Sequence, residues 1–195
     1  MTKFQTKKHS YTDDEVKSAL QKEIRRGNEQ EAMYWALELA YEYDEEKNPL
    51  GKSSWTWLCN RLKIIVYEDI GIANPDVVLQ VSKAVDDMYS LREKNNDEWD
   101  MALAHIILLL CRSEKNRIND YFKVAIEQLW DKKKMDIPDY ALDMHTTRGN
   151  KMGRTKHTQK GIEHFINEGE KLENVKKVKD DDFWKDKAHK KWKER

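Results

Sequence analysis

One stretch, Trp55 to Pro75, limits what this chain can fold into more than any other. Trp55, Leu58, Cys59, Leu62, Ile65 and Val66 recur at three- and four-residue steps, the spacing of one apolar helix face. Arg61, Lys63 and Glu68 fall off that stripe. Gly71 permits the left-handed backbone that closes a helix. Asn74 is placed to cap the next helix, Pro75 to fill its first turn and Asp76 to face its positive end. The stretch predicts helix, Asp-Ile-Gly turn, helix.

The flanking chain continues in the same period. Thr12 and Glu15 have capping-box spacing and open a helix to Gly27 through Val16, Ala19, Leu20 and Ile24. Ala32, Trp35, Ala36, Leu39, Ala40 and Tyr43 form a second stripe, so the two segments pair antiparallel. Beyond the joint, Val78, Val81, Val85, Met88 and Leu91 repeat the pattern until Asn95-Asn96 breaks it. Trp99 to Cys111 is apolar nearly all round, which predicts the most buried helix, with His105 hydrogen-bonded in or near the core. Ile118 to Trp130 supplies another helix, with Ile118, Phe122, Ala125, Ile126 and Leu129 on its inner face.

These patterns predict an all-α bundle over residues 11–135, after a patternless tail at 1–10 and before a less regular extension at 136–195. Charge divides the same way. Residues 1–144 carry 21 Lys+Arg against 27 Asp+Glu, and residues 145–195 carry 15 against 9. An acidic helical body bearing a basic segment is expected. The whole chain, at net charge zero, is no polyanion binder by charge alone. Cys59 and Cys111 lie on apolar stripes and are expected buried and reduced, as in a cytoplasmic protein. The polar N-terminus carries no secretory signal, and the run Ala102–Cys111 is far shorter than the roughly 20 residues that span a bilayer.

Few residues suggest chemistry. Gly51-Lys52-Ser53-Ser54 echoes a phosphate-binding loop, but Glu46 stands where the first glycine belongs. A loop leading to a Ser53 or Ser54 helix cap is expected there instead of ATP binding. His145, His157 and His164 lack the spacing of a metal site, and no Ser or Cys sits in a nucleophile motif. No catalytic residue, metal or cofactor is expected. The better candidate is the stretch from His145 to Lys160, with five Lys/Arg and no acid. Arg148, Lys151, Arg154, Lys156 and Lys160 are suited to track a phosphate backbone, or else to pair with the acidic body.

The joint also carries a resemblance. Arg61-Leu62-Lys63-Ile64-Ile65-Val66-Tyr67-Glu68-Asp69-Ile70-Gly71-Ile72-Ala73-Asn74-Pro75 is similar to the "RRL-R-A-EDIGLADP" signature of the RarA/MgsA family. These are replication-associated AAA+ ATPases related to the Werner-helicase-interacting protein. Ser18 to Gly27 resembles that family's "SALHKSIRGSD" helix, and Glu31 to Ala36 its "DAALYWLARL" helix. Ser113 to Arg117 departs from the family's loop there, matching at Lys115. The signature belongs to the family's helical collar, so the resemblance implies a bundle like the clamp-loader collar, without an ATPase module. Arg61, Glu68, Asp69, Gly71 and Pro75 are then structural or interface residues.

In that family this region holds subunits together, so a homo-oligomer, a tetramer, is implied. A non-catalytic oligomerisation and binding module of DNA replication or repair is the expected function. DNA or a replication protein is the expected partner, and no membrane. The alternative is a nucleic-acid-binding accessory working through residues 145–160, and an enzyme built on His145 to His164 ranks last. A complete gene product is expected, not a fragment of a longer ATPase.

Overall fold

The computed structural model describes residues 6, 8–41, 51–94 and 96–194, and of residues 51–54 the backbone alone. It divides the chain into two compact units, Met1–Lys132 and Lys133–Arg195. Helices and turns make up both, with no strand among the described residues.

In the first unit, α1 (Asp13–Arg26) and α2 (Glu29–Ala40) form an antiparallel pair. Gly27, at φ +76°, provides the left-handed turn between them. α3 (Gly51–Ile65) runs into a π turn, Val66–Ile70, and a 3-10 turn, Gly71–Ala73. α4 (Pro75–Glu93) and α5 (Trp99–Arg112) make the other extensive pair. As its sequence indicates, α4 starts with Asn74 accepting from the Val77 N–H at 3.3 Å and Pro75 in the first turn. α6 (Ile118–Lys132) follows.

The apolar stripes converge on one core. Leu20 and Ile24 from α1, Leu39 from α2, Leu58, Leu62 and Ile65 from α3, Met88 from α4, and Leu103, Ile106 and Leu110 from α5 are fully buried in it. The Arg92 guanidinium lies 4.0 Å from the Trp55 ring centre and 5.0 Å from that of Trp99, closing one end of this core by cation–π contact. Leu62→Ala is accordingly expected to cost about 2–5 kcal/mol. Lys63→Ala, which loses only an exposed pair with Asp86, should stay within about 0.5 kcal/mol. Denaturant melts of the two variants check the assignment of the face.

Several expectations need correction. The Thr12 hydroxyl donates to the Glu15 carboxylate and does not accept from the backbone, so the capping box is incomplete. α2 ends at Ala40, and Tyr43 lies outside the described residues. α3 already begins at Gly51, so Ser53 and Ser54 sit inside its first turn and do not precede it. Glu46 lies outside the described residues. Met101, His105 and Leu108 form an exposed stripe on α5. His105 therefore faces solvent, because the core covers only one side of this helix. Near the N-terminus, Thr6 is buried and hydrogen-bonds Tyr11 O at 2.7 Å and Ser10 N at 2.8 Å.

The largest correction concerns α6. Among the described residues no core covers its apolar side: Ile118, Phe122, Ala125, Ile126 and Leu129 are all exposed.

The second unit is less regular. A 3-10 turn at Asp139–Ala141 precedes α7 (Thr147–Lys151) and α8 (Gln159–His164). α8 widens into a π turn, Phe165–Gly169, and α9 (Asp181–Lys193) ends the chain's described part. Leu142 and Ile162 are its buried apolar residues.

Candidate functional site

The Glu68-Asp69 pair sits in the π turn and is the electrostatic centre of the first unit. Asp69 is 0% exposed. Its carboxylate accepts from Arg25 Nε at 2.7 Å and Gln21 Nε2 at 3.1 Å, with Arg117 Nε at 3.4 Å. Glu68 accepts from Arg25 at 2.7 Å and Arg117 at 3.1 Å. Burial pushes the Glu68 carboxyl up, but Gln21 and the two guanidiniums outweigh it and hold it below its ordinary value of 4.5. α1, the π turn and the start of α6 are thus tied by two arginines bridging two carboxylates. Arg117 also pairs with Asp120, in the first turn of α6.

Backbone contacts fix the same point. The Asn116 N–H donates to Asp69 O at 2.8 Å, and the Asn119 amide to Tyr67 O at 2.9 Å. Gly71 has φ +49°, and a Cβ there would overlap the Asn119 side-chain amide. The positive φ favours glycine there, and its missing Cβ lets the Asn119 amide lie close. Arg61 reaches Gln21 Oε1 at 3.4 Å, at the margin of hydrogen bonding. Pro75 stands in the first turn of α4. The geometry of this network, two guanidiniums bridging two carboxylates, is that of a structural clamp.

What the clamp holds out is α6. Trp130 is 79% exposed, Phe122 65% and Leu129 40%, and Tyr121, Val124 and Ile126 are exposed too. Asp120, Lys123, Glu127 and Asp131 lie opposite the stripe of Ile118, Phe122, Ala125 and Leu129, and Val124 and Trp130 border that polar side. The apolar side of α6 is thus exposed in the single chain.

The basic stretch lies in the second unit, and its five cations divide. Arg154 donates to both Asp139 carboxylate oxygens at 2.8 and 2.9 Å and to Leu142 O at 2.9 Å. That contact holds the Asp139 carboxyl below its ordinary value. Lys160 donates to Met152 O at 2.8 Å. Arg148, Lys151 and Lys156 are exposed and make no ion pair among the described residues. His145 pairs with Asp143 at 3.0 Å and His164 with Asp139 at 3.4 Å. No group of three potential metal ligands gathers among the described residues.

Sequence reasoning missed two things here. Asp69 falls seven residues after Leu62, on the apolar stripe itself, and a carboxylate there demands a buried cation; that signal was readable. A repeat was also readable: His145-Thr146-Thr147-Arg148-Gly149 and His157-Thr158-Gln159-Lys160-Gly161. Each threonine caps a short helix, Thr146 accepting from the Gly149 N–H at 2.9 Å and Thr158 from the Gly161 N–H at 3.2 Å. A Cβ on either glycine would overlap a backbone oxygen, Asp143 O or Thr155 O. The glycines serve close packing of this unit.

Among the described residues no helix is long and apolar enough to cross a membrane. A comparison with protein families matches residues 28–194 to the family described as MgsA AAA+ ATPase C terminal. No curated protein matches the chain.

Proposed function

Because the chain belongs to the family of MgsA AAA+ ATPase C-terminal regions, we propose that it is a non-catalytic association module serving DNA replication or repair, which pairs with a second copy of itself through α6. The observation that carries this reading is the open apolar face of α6 on a helix whose base is rigidly clamped. Fifteen residues give that helix a length of about 22 Å. The face is self-complementary in an antiparallel pair. Phe122 of one copy meets Leu129 of the other across the small Ala125, near the midpoint, and the Asp120 end lies against the Lys132 end. Such an isologous contact closes on itself, and higher symmetry builds a tetramer from such pairs.

A cysteine at position 125 tests this arrangement. In an isologous pair the two introduced thiols approach each other, so mild oxidation of Ala125→Cys should yield a covalent dimer. The native thiols are poor competitors, since burial pushes Cys59 up to about 12 and Cys111 to about 11. A variant that oxidises without a dimer would refute the antiparallel pairing.

A specific observation favours a second role on the other unit. Arg148, Lys151 and Lys156 are exposed cations without ion pairs among the described residues, within a stretch that has no acid. They suit the phosphates of DNA, whereas Arg154 and Lys160 are engaged within the unit. Three contacts predict a log–log salt slope of about −3 and a loss of roughly one and a half decades in affinity between about 50 and 200 mM salt. Lys151→Gln should reduce the slope by about one. Filter binding or fluorescence anisotropy reads it, and a slope unchanged in Lys151→Gln would remove that residue from the contact.

A further inference from the structure

The second unit contains a concavity whose lining includes one of the three exposed cations, Lys156. Met144 and His145 before α7, Lys156 between α7 and α8, Ile162 on α8, Phe165 in the π turn and Trp192 on α9 enclose about 240 Å³. Ile162 is buried beneath it. The Phe165 ring meets His145 at 5.1 Å and Trp192 at 5.7 Å between centres, each edge to face. Both Phe165 and Trp192 are half-buried, which leaves aromatic surface facing the space.

Size and charge restrict the occupant. Drug-sized ligands occupy sites of roughly 300–1,000 Å³, so this one suits a single flat ring system. The nearby carboxylates are already engaged, Asp143 with His145 and Glu170 with His189. Lys156, at the rim, has no ion pair among the described residues. An apolar, aromatic-walled space with one uncommitted cation at its edge fits a planar ring tethered to a phosphate.

We propose that this cavity takes one unstacked base of single-stranded DNA, with Phe165 and Trp192 as the stacking surface and Lys156 on the adjoining phosphate. The inference rests on the nucleic-acid reading of residues 145–160. In a duplex both faces of each base are covered by neighbours, so only a single strand offers a base to the cavity. Stacking makes no demand on base identity.

Three labelled DNA ligands test it with the full chain at low salt: a twelve-residue oligothymidine, an abasic strand of the same length, and a twelve-base-pair duplex. The oligothymidine should bind about tenfold or more tighter than the abasic strand. Trp192→Leu should erase that ratio while leaving abasic binding unchanged, and Lys156→Gln should weaken both single strands. Equal affinity for the two single strands in the wild type would overturn the base site and leave the phosphate reading standing. Preference for the duplex would overturn it as well. Binding to none of the three would end both readings. If Trp192→Leu fails to fold, the wild-type ratio alone decides.

Discussion

Arg25→Met is expected to destabilise the first unit by about 3 kcal/mol, the lower end of what breaking a buried ion pair costs. The loss arises on the partner left behind. Asp69 has no exposure to solvent, and without Arg25 its side chain keeps, among the described residues, Gln21 and a 3.4 Å approach from Arg117. Arg25 itself lies partly in solvent, so its own burial adds little to the cost. Replacing both ends, Arg25→Met with Asp69→Leu, should recover much of the stability, because no orphaned charge then remains. Two single variants whose costs simply add would show that the pair is not coupled.

The same clamp sets an acid limit. The Glu68 carboxyl lies below its ordinary value of 4.5 when folded. Its contribution is therefore present above about that pH and is lost as the pH falls through the lower folded value. Wild-type melting temperatures should drop on acidification in that range, and Glu68→Gln should flatten the decline.

The helical body was legible because its residues report their surroundings locally. Leu58, Leu62 and Ile65 repeat at the helical period and are buried, and Gly27, Asn74 and Pro75 mark helix ends where the structure has them. The π turn at Val66–Ile70 was not legible, since a single widened turn leaves almost no trace in a 3.6-residue period. Nor was the partnership of Arg117 with Asp69, which joins residues far apart in sequence. The face of α6 was read correctly as apolar and wrongly as internal. Periodicity reveals which side of a helix avoids water, but not whether the same chain or another molecule covers it. His105 failed for a related reason: an apolar run shows hydrophobicity, while exposure depends on how many neighbours surround the helix. In the basic stretch, charge alone gave Arg154 and Lys151 equal standing. Only the fold separates a cation bound to Asp139 from one left in solvent.

The second large effect concerns α6 itself. Placing Asp at positions 122 and 129 puts two charges at the centre of the proposed contact, where a charge without a partner is strongly unfavourable. Both positions are exposed in the single chain, so each substitution should change its stability by no more than about 0.5 kcal/mol. Assembly and folding are thereby separated. The direct measurement is light scattering coupled to size exclusion, on the wild type and on Phe122→Asp/Leu129→Asp, at tens of micromolar. The wild type should show a multiple of the 23.3 kDa chain mass, and the double variant should run as a folded monomer with an unchanged melt. A wild type that is itself a monomer, or a double variant that keeps the wild-type mass, would contradict self-association through α6.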